Sequence, residues 1–158
     1  MAFWSDSSFE PLKKNRFIMR LFDSSVMIEL KSVNLPTFET DVLEQKLINH
    51  IIKYPSIGKW SDISMTFVIT SDLLQRTFLR ASGYRNIRNN GQTLNKDIQS
   101  IGLGNVTIDI LKGDGTAIST WTIHNPFVST INYGELSYES DDFVEVDLTL
   151  AFDYAEIQ

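Results

Sequence analysis

The stretch Val144-Glu145-Val146-Asp147-Leu148-Thr149-Leu150-Ala151-Phe152 decides the fold. Val144, Val146, Leu148, Leu150 and Phe152 occupy every second position, while Glu145, Asp147, Thr149 and the following Asp153 face away. A strand sends successive side chains to opposite sides of its sheet, so this pattern predicts one buried apolar face and one acidic face. Residues 62–70 repeat it, with Ile63, Met65, Phe67 and Ile69 on one face and Ser64, Thr66 and Thr70 opposite.

Working outward, Arg16 to Phe22 and Val26 to Leu30 are short β-favouring runs on either side of Asp23-Ser24-Ser25, which reads as a hairpin. Leu35-Pro36 breaks the pairing that follows, because proline has no ladder donor. Residues 106–111 and 116–123 form a second hairpin around Lys112-Gly113-Asp114-Gly115, where glycine supplies the positive φ that such turns require. Asn125-Pro126-Phe127 is a break. Ser71-Asp72 offers capping oxygens to a helix continued by Leu73, Leu74, Phe78, Leu79 and Tyr84. A long polar loop with Asn89-Asn90-Gly91 at its centre then fills residues 86–105. The sum is a mainly β chain, a β-barrel or sandwich of about seven or eight strands with one flanking α-helix.

Residues 41–54 are ambiguous. Leu43, Leu47 and Ile51 recur at four-residue spacing, as an amphipathic helix requires, yet the same residues also share one face of a strand, interleaved with Gln45 and Asn49.

The 158 residues fit one domain, residues 15–158, preceded by an arm over residues 1–14 whose Phe3, Trp4 and Phe9 have no alternating neighbours. Those three aromatics fold back onto their own domain or dock on a neighbouring subunit. Twenty acidic residues against fourteen basic ones leave a net charge of −6, which disfavours a nucleic-acid coat. The chain has no cysteine, which excludes disulfides and thiol nucleophiles and fits assembly in a reducing cytoplasm. Its first residues have neither a basic start nor a signal-like apolar run, so an intracellular product is expected.

Catalytic chemistry finds no foothold. His50 and His124 are the only histidines, and neither belongs to a nucleophile, base and orienting group, so both are read as structural. Gly102-Leu103-Gly104 lacks the third glycine of a dinucleotide fingerprint and reads as loop. Lys112 to Thr116 has the residue types of a phosphate cradle in the wrong order, and strands flank it. Glu135, Glu139, Asp141 and Asp142 match no calcium loop and read as a solvated turn. No metal or cofactor is expected, and Trp60 and Trp121 are read as core residues.

The run from Trp121 through Asn125-Pro126-Phe127 to Tyr133-Gly134-Glu135-Leu136, followed by the alternating stretch that ends at Phe152-Asp153-Tyr154, resembles the tail tube proteins of contractile, T4-like bacteriophages. Leu35-Pro36 and Gly58-Lys59-Trp60-Ser61-Asp62 agree in order, so the resemblance spans residues 15–156. It implies a β-barrel or sandwich with one helix, assembled as hexameric rings stacked into a hollow tube. It also implies that residues 42–53 form one long strand. The implied place is the virion tail, assembled in the host cytoplasm. The implied partners are other copies of the chain, the tail sheath, and the baseplate and tail-terminator proteins, with double-stranded DNA passing through the lumen without specific binding.

A conduit of this kind should not hold its cargo, and carboxylates repel phosphates instead of replacing their counterions. Glu44, Glu145, Asp147 and Asp153 are the candidate lumen-facing acids. The tube of a bacterial secretion or extracellular injection device, carrying protein, is the alternative within the same architecture. A monomeric ligand-binding β-barrel is the alternative from another class.

Overall fold

The two alternating stretches become neighbouring antiparallel strands in the computed structural model, which describes residues 11–21, 25–26, 29–70 and 106–158. β6 (Ile63–Val68) pairs with β10 (Glu145–Ala151), placing Met65 opposite Leu148 and Phe67 opposite Val146. β3 (Leu30–Val33) lies on the far side of β6 and β9 (Phe127–Asn132) on the far side of β10, giving a four-stranded sheet ordered β3-β6-β10-β9.

A second sheet, ordered β11-β8-β7-β1-β2, is built from β1 (Phe17–Leu21), β2 (Ser25–Val26), β7 (Val106–Leu111), β8 (Ala117–His124) and β11 (Tyr154–Ile157). Its Met19, Leu21, Val106, Ile108, Ile123 and Ala155 form one buried cluster with Ile63, Met65, Phe67, Val146, Leu148 and Leu150 of the first sheet. Each sheet contributes six residues, so two half-apolar surfaces close on each other, and each large side chain so buried contributes about 1.5–3 kcal/mol. Trp60 and Trp121 do not sit inside this core; both are half-buried and pack against its margin.

The turn between β7 and β8 forms with Gly115, and not Gly113, at the positive φ. Gly115 adopts φ +86°, its N–H donates to the Lys112 carbonyl, and the Asp114 carboxylate accepts from the Thr116 N–H at 2.9 Å and its hydroxyl at 2.6 Å. Those two hydrogen bonds hold the Asp114 carboxyl below the usual aspartate range. Asn125 takes the break after β8 with φ +52°.

A third, two-stranded sheet corrects the expected single strand over residues 42–53. β4 (Thr37–Leu47) and β5 (His50–Ser61) form a long hairpin that reverses at Ile48 and Asn49. Strand, not helix, is the right conformation, but the chain doubles back inside the expected span. Pro55 and Gly58 do not end the strand; Pro55 lies opposite Val42 beside the bulge where the register shifts, the place where a missing donor is tolerated.

Three smaller differences follow from strands changing sheet. Val26 pairs with Arg20 in β2, whereas Leu30 opens β3 in the other sheet, so residues 26–30 are not one strand. The alternating C-terminal stretch ends at Ala151, and β11 crosses to pair with β8. β9, beyond the Asn125-Pro126 break, is a further strand. The described residues therefore hold eleven strands, more than the seven or eight expected, and no helix. The expected helix at residues 71–84, the loop at 86–105 and the arm aromatics Phe3, Trp4 and Phe9 lie outside the described residues.

Candidate functional site

The hairpin β4–β5 is the most exposed element of the described chain. Residues directly opposite share a face, so Leu43 with Tyr54, Gln45 with Ile52 and Leu47 with His50 line one side of its outer half. Val42 with Pro55, Glu44 with Lys53 and Lys46 with Ile51 line the other. Ile51 is thus parted from Leu43 and Leu47 by the reversal at Ile48. Every residue of β4 is exposed, and Ile48 at the tip is 101% exposed.

Among the described residues, aromatic rings anchor the base of this hairpin. The Phe38 ring lies 4.9 Å from Trp60, and Trp60 lies 6.0 Å from Phe152, continuing an aromatic line into the core margin. The same Phe38 ring covers Gly58, where a Cβ would come within 2.1 Å of it.

The four candidate lumen acids do not converge on one spot. Glu145 and Asp147 alternate with the buried residues of β10 and share the outer face of the four-stranded sheet. Glu145 pairs with Lys31, which the bulge in β3 leaves without a partner position on β6. The hydrogen bond to Glu145, then its charge, raises the Lys31 pKa above the usual lysine value. Asp147 accepts from the Thr66 hydroxyl at 2.8 Å, and Thr66, Ser64, Thr130, Thr149 and Asn132 extend a polar surface around it. Glu44 lies elsewhere, on the hairpin, 3.6 Å from Lys53. Asp153 lies at the crossing between β10 and β11 and accepts from the Asn125 amide at 3.0 Å.

His50 is exposed at the start of β5, while His124 stacks on Tyr154 with centroids 4.3 Å apart and lies 3.3 Å from Glu156. The acids of the turn after β9 are exposed, together with Leu136, Tyr138 and Phe143.

One polar cluster lies outside the residues that the sequence singled out. Asp109 in β7 is 6% exposed, accepts from the Thr120 hydroxyl at 2.8 Å and pairs with Arg20. A lone carboxylate inside Val106-Thr107-Ile108-Asp109-Ile110-Leu111 is the feature that marks it. The network ties β1, β7 and β8 together and touches none of the candidate acids.

Among the described residues, a packed sandwich carries a long hairpin with exposed apolar side chains and sheet edges at β2, β3, β9 and β11, the kind of surface that assembly covers. The family model for the T4-like virus tail tube protein gp19 matches residues 13–156, and the chain belongs to that family, as the sequence resemblance implied. It is a tail tube protein.

A chain in the anti-feeding prophage tube-terminating cap superposes with a TM-score of 0.74 at 18% identity, covering 100% of this chain and 99% of that one. A chain in the sheath/tube terminator of a PVC extracellular contractile injection system, in the extended state, gives 0.73 at 19% identity, covering 96% and 99%. The sheath-tube complex of the PVC system gives 0.71 at 19% identity, covering 100% and 98%. At these identities the likeness is one of fold. Among curated proteins the sequence finds no match.

Proposed function

We propose that copies of this tail tube protein close into hexameric rings that stack into the hollow conduit through which a phage genome leaves. The observation that carries the reading is the β4–β5 hairpin. A two-stranded hairpin is marginal in water by itself, and this one exposes Leu43, Leu47, Ile48, Ile51, Tyr54 and Ile57, so its apolar sides call for a second copy.

Among the described residues, β3 and β9 stand at the edges of the four-stranded sheet. Joining β9 of one copy to β3 of the next is a head-to-tail contact that removes both edges and closes a ring. Six copies give about twenty-four strands, and at about 4.8 Å spacing and about 40° tilt such a barrel is about 48 Å across its backbone. Closure into a barrel thus belongs to the ring and not to the single chain. Side chains on both walls narrow the bore to about 38 Å.

In this arrangement the outer face of the four-stranded sheet lines the lumen. Asp147 and Glu145 then face the cargo among Thr66, Thr130 and Thr149, and a wall of carboxylates and hydroxyls lets DNA slide without binding it. Glu44 and Asp153, on other elements, complete the proposed acidic set. The tail sheath, baseplate and terminator are the proposed partners, in keeping with the sheath-tube, baseplate and cap structures whose chains share this fold. Assembly takes place in the host cytoplasm, the finished tube belonging to the virion, and the role is structural, not catalytic.

The shared fold with injection-system chains favours a second reading, a tube that delivers protein. Capsid and terminase genes beside this one support the phage reading, whereas effector and unfoldase genes support the other. Negative-stain microscopy of the purified chain tests the tube itself. Hollow cylinders built of six-fold rings are expected; a monodisperse monomer under all conditions overturns the reading and favours a ligand-binding barrel.

A further inference from the structure

Between β9 and β10 the chain forms a groove of about 570 Å³, lined by Glu135, Leu136, Tyr138, Asp142, Phe143 and Val144 among others. Leu136, Tyr138 and Phe143 of this lining are open to solvent, Phe143 being 83% exposed. Residues 133–144 carry Glu135, Glu139, Asp141 and Asp142 and no basic residue. Lys31 lies close enough to feel Asp142, but its own partner is Glu145, and no described cation pairs with Glu135, Glu139 or Asp141.

Residues 11–16, Pro-Leu-Lys-Lys-Asn-Arg, have the opposite character, with three bases and no acid. They lead into β1 of the other sheet. Leu12 is 56% exposed, and no described anion pairs with Lys13 or Lys14. An apolar residue beside two free ammoniums matches an apolar groove beside unpaired carboxylates, and no ion pair joins the two within one described chain.

We propose that the groove after β9 receives residues 11–16 of a second copy, with Leu12 seated against Leu136 and Phe143 and with Lys13 and Lys14 facing Glu135, Glu139 and Asp142. The proposal rests on the tube reading and adds a specific contact to it. Segment and groove are different surfaces, so the contact is head to tail and repeats from copy to copy. Opposite charges set the register and speed the encounter, and salt weakens them.

Full-length Lys13→Glu/Lys14→Glu and Glu139→Lys/Asp142→Lys variants test this, with circular dichroism checking that each remains folded. Each is expected to raise the concentration needed for sedimentable tubes about tenfold at low salt. The combined four-site reversal, which restores complementarity, should return that concentration toward the wild-type value. Wild-type-like assembly by both double variants, from a wild type that itself forms tubes, overturns this contact and leaves the tube reading standing. A wild type that never assembles overturns both. Loss of assembly without recovery in the four-site variant also overturns the pairing.

Discussion

β6–β10 and β4–β5 are both long antiparallel pairs, yet one is finished within the chain and the other is not. Met65, Phe67, Val146 and Leu148 of the first pair are buried against the opposite sheet. Leu43, Leu47, Ile48 and Ile57 of the second are as apolar and stand in solvent. Hydrogen bonding is satisfied in both ladders, so the difference lies in side-chain burial, and it separates what folds the subunit from what waits for another copy.

Substitutions sharpen that division. Leu148→Ala, at a site that is 0% exposed, should lower unfolding free energy by about 2–5 kcal/mol in chemical denaturation, because the surrounding sheets collapse only partly into the space. Asp109→Ala should cost about 1–3 kcal/mol, since it removes the acceptor of the Thr120 hydroxyl and the partner of Arg20. Gly134→Ala should cost about 1 kcal/mol or more, because the backbone there has φ +75° and a Cβ would come within 2.7 Å of the Glu145 carbonyl oxygen.

On the hairpin the expectation reverses. Leu43→Ser/Leu47→Ser should change monomer stability by no more than about 0.5 kcal/mol while abolishing sedimentable tubes. A large loss of monomer stability would break the division drawn above.

The smallest expected effect is at the β7–β8 turn. The Asp114 carboxyl is held below its ordinary range by Thr116, so its contribution is full above the unfolded-state value and disappears as pH falls through the lower folded value. Asp114→Asn should therefore match wild type in strong acid and show faster amide exchange at residues 112–116 only above the carboxylate range.

The same contrast governs what the sequence discloses. β6 and β10 were legible because one face of each is buried and burial writes a two-residue period into the chain, whereas β7 and β8 were marked by the glycine turn between them. β4–β5 buries neither face, so no such period distinguishes its two sides. Its four-residue spacing arose from Leu43 and Leu47 on one strand and Ile51 beyond the reversal. Ile48-Asn49 lacks the glycine that marked the turn before β8. Pro55 and Gly58 sit within β5 because a bulge and an overlying Phe38 ring accommodate them, which is visible only in three dimensions.

The candidate acids were legible as exposed residues but not as one surface. Alternation put Glu145, Asp147 and Asp153 on one outer face, and the end of β10 at Ala151 takes Asp153 off it, whereas nothing in the pattern says which outer face Glu44 joins. The groove after β9 left a fainter mark, in Leu136, Tyr138 and Phe143 scattered without period among acids. Family resemblance supplied the tube, which no catalytic or ligand motif in these residues could have done.

Amide hydrogen exchange, followed by mass spectrometry on the free subunit and on assembled tubes, examines the division between core and hairpin directly. Residues 63–68 and 145–151 should be protected in both states, while residues 37–61 should exchange rapidly in the free subunit and become protected on assembly. Equal exchange of residues 37–61 in both states would contradict the claim that a second copy completes the hairpin.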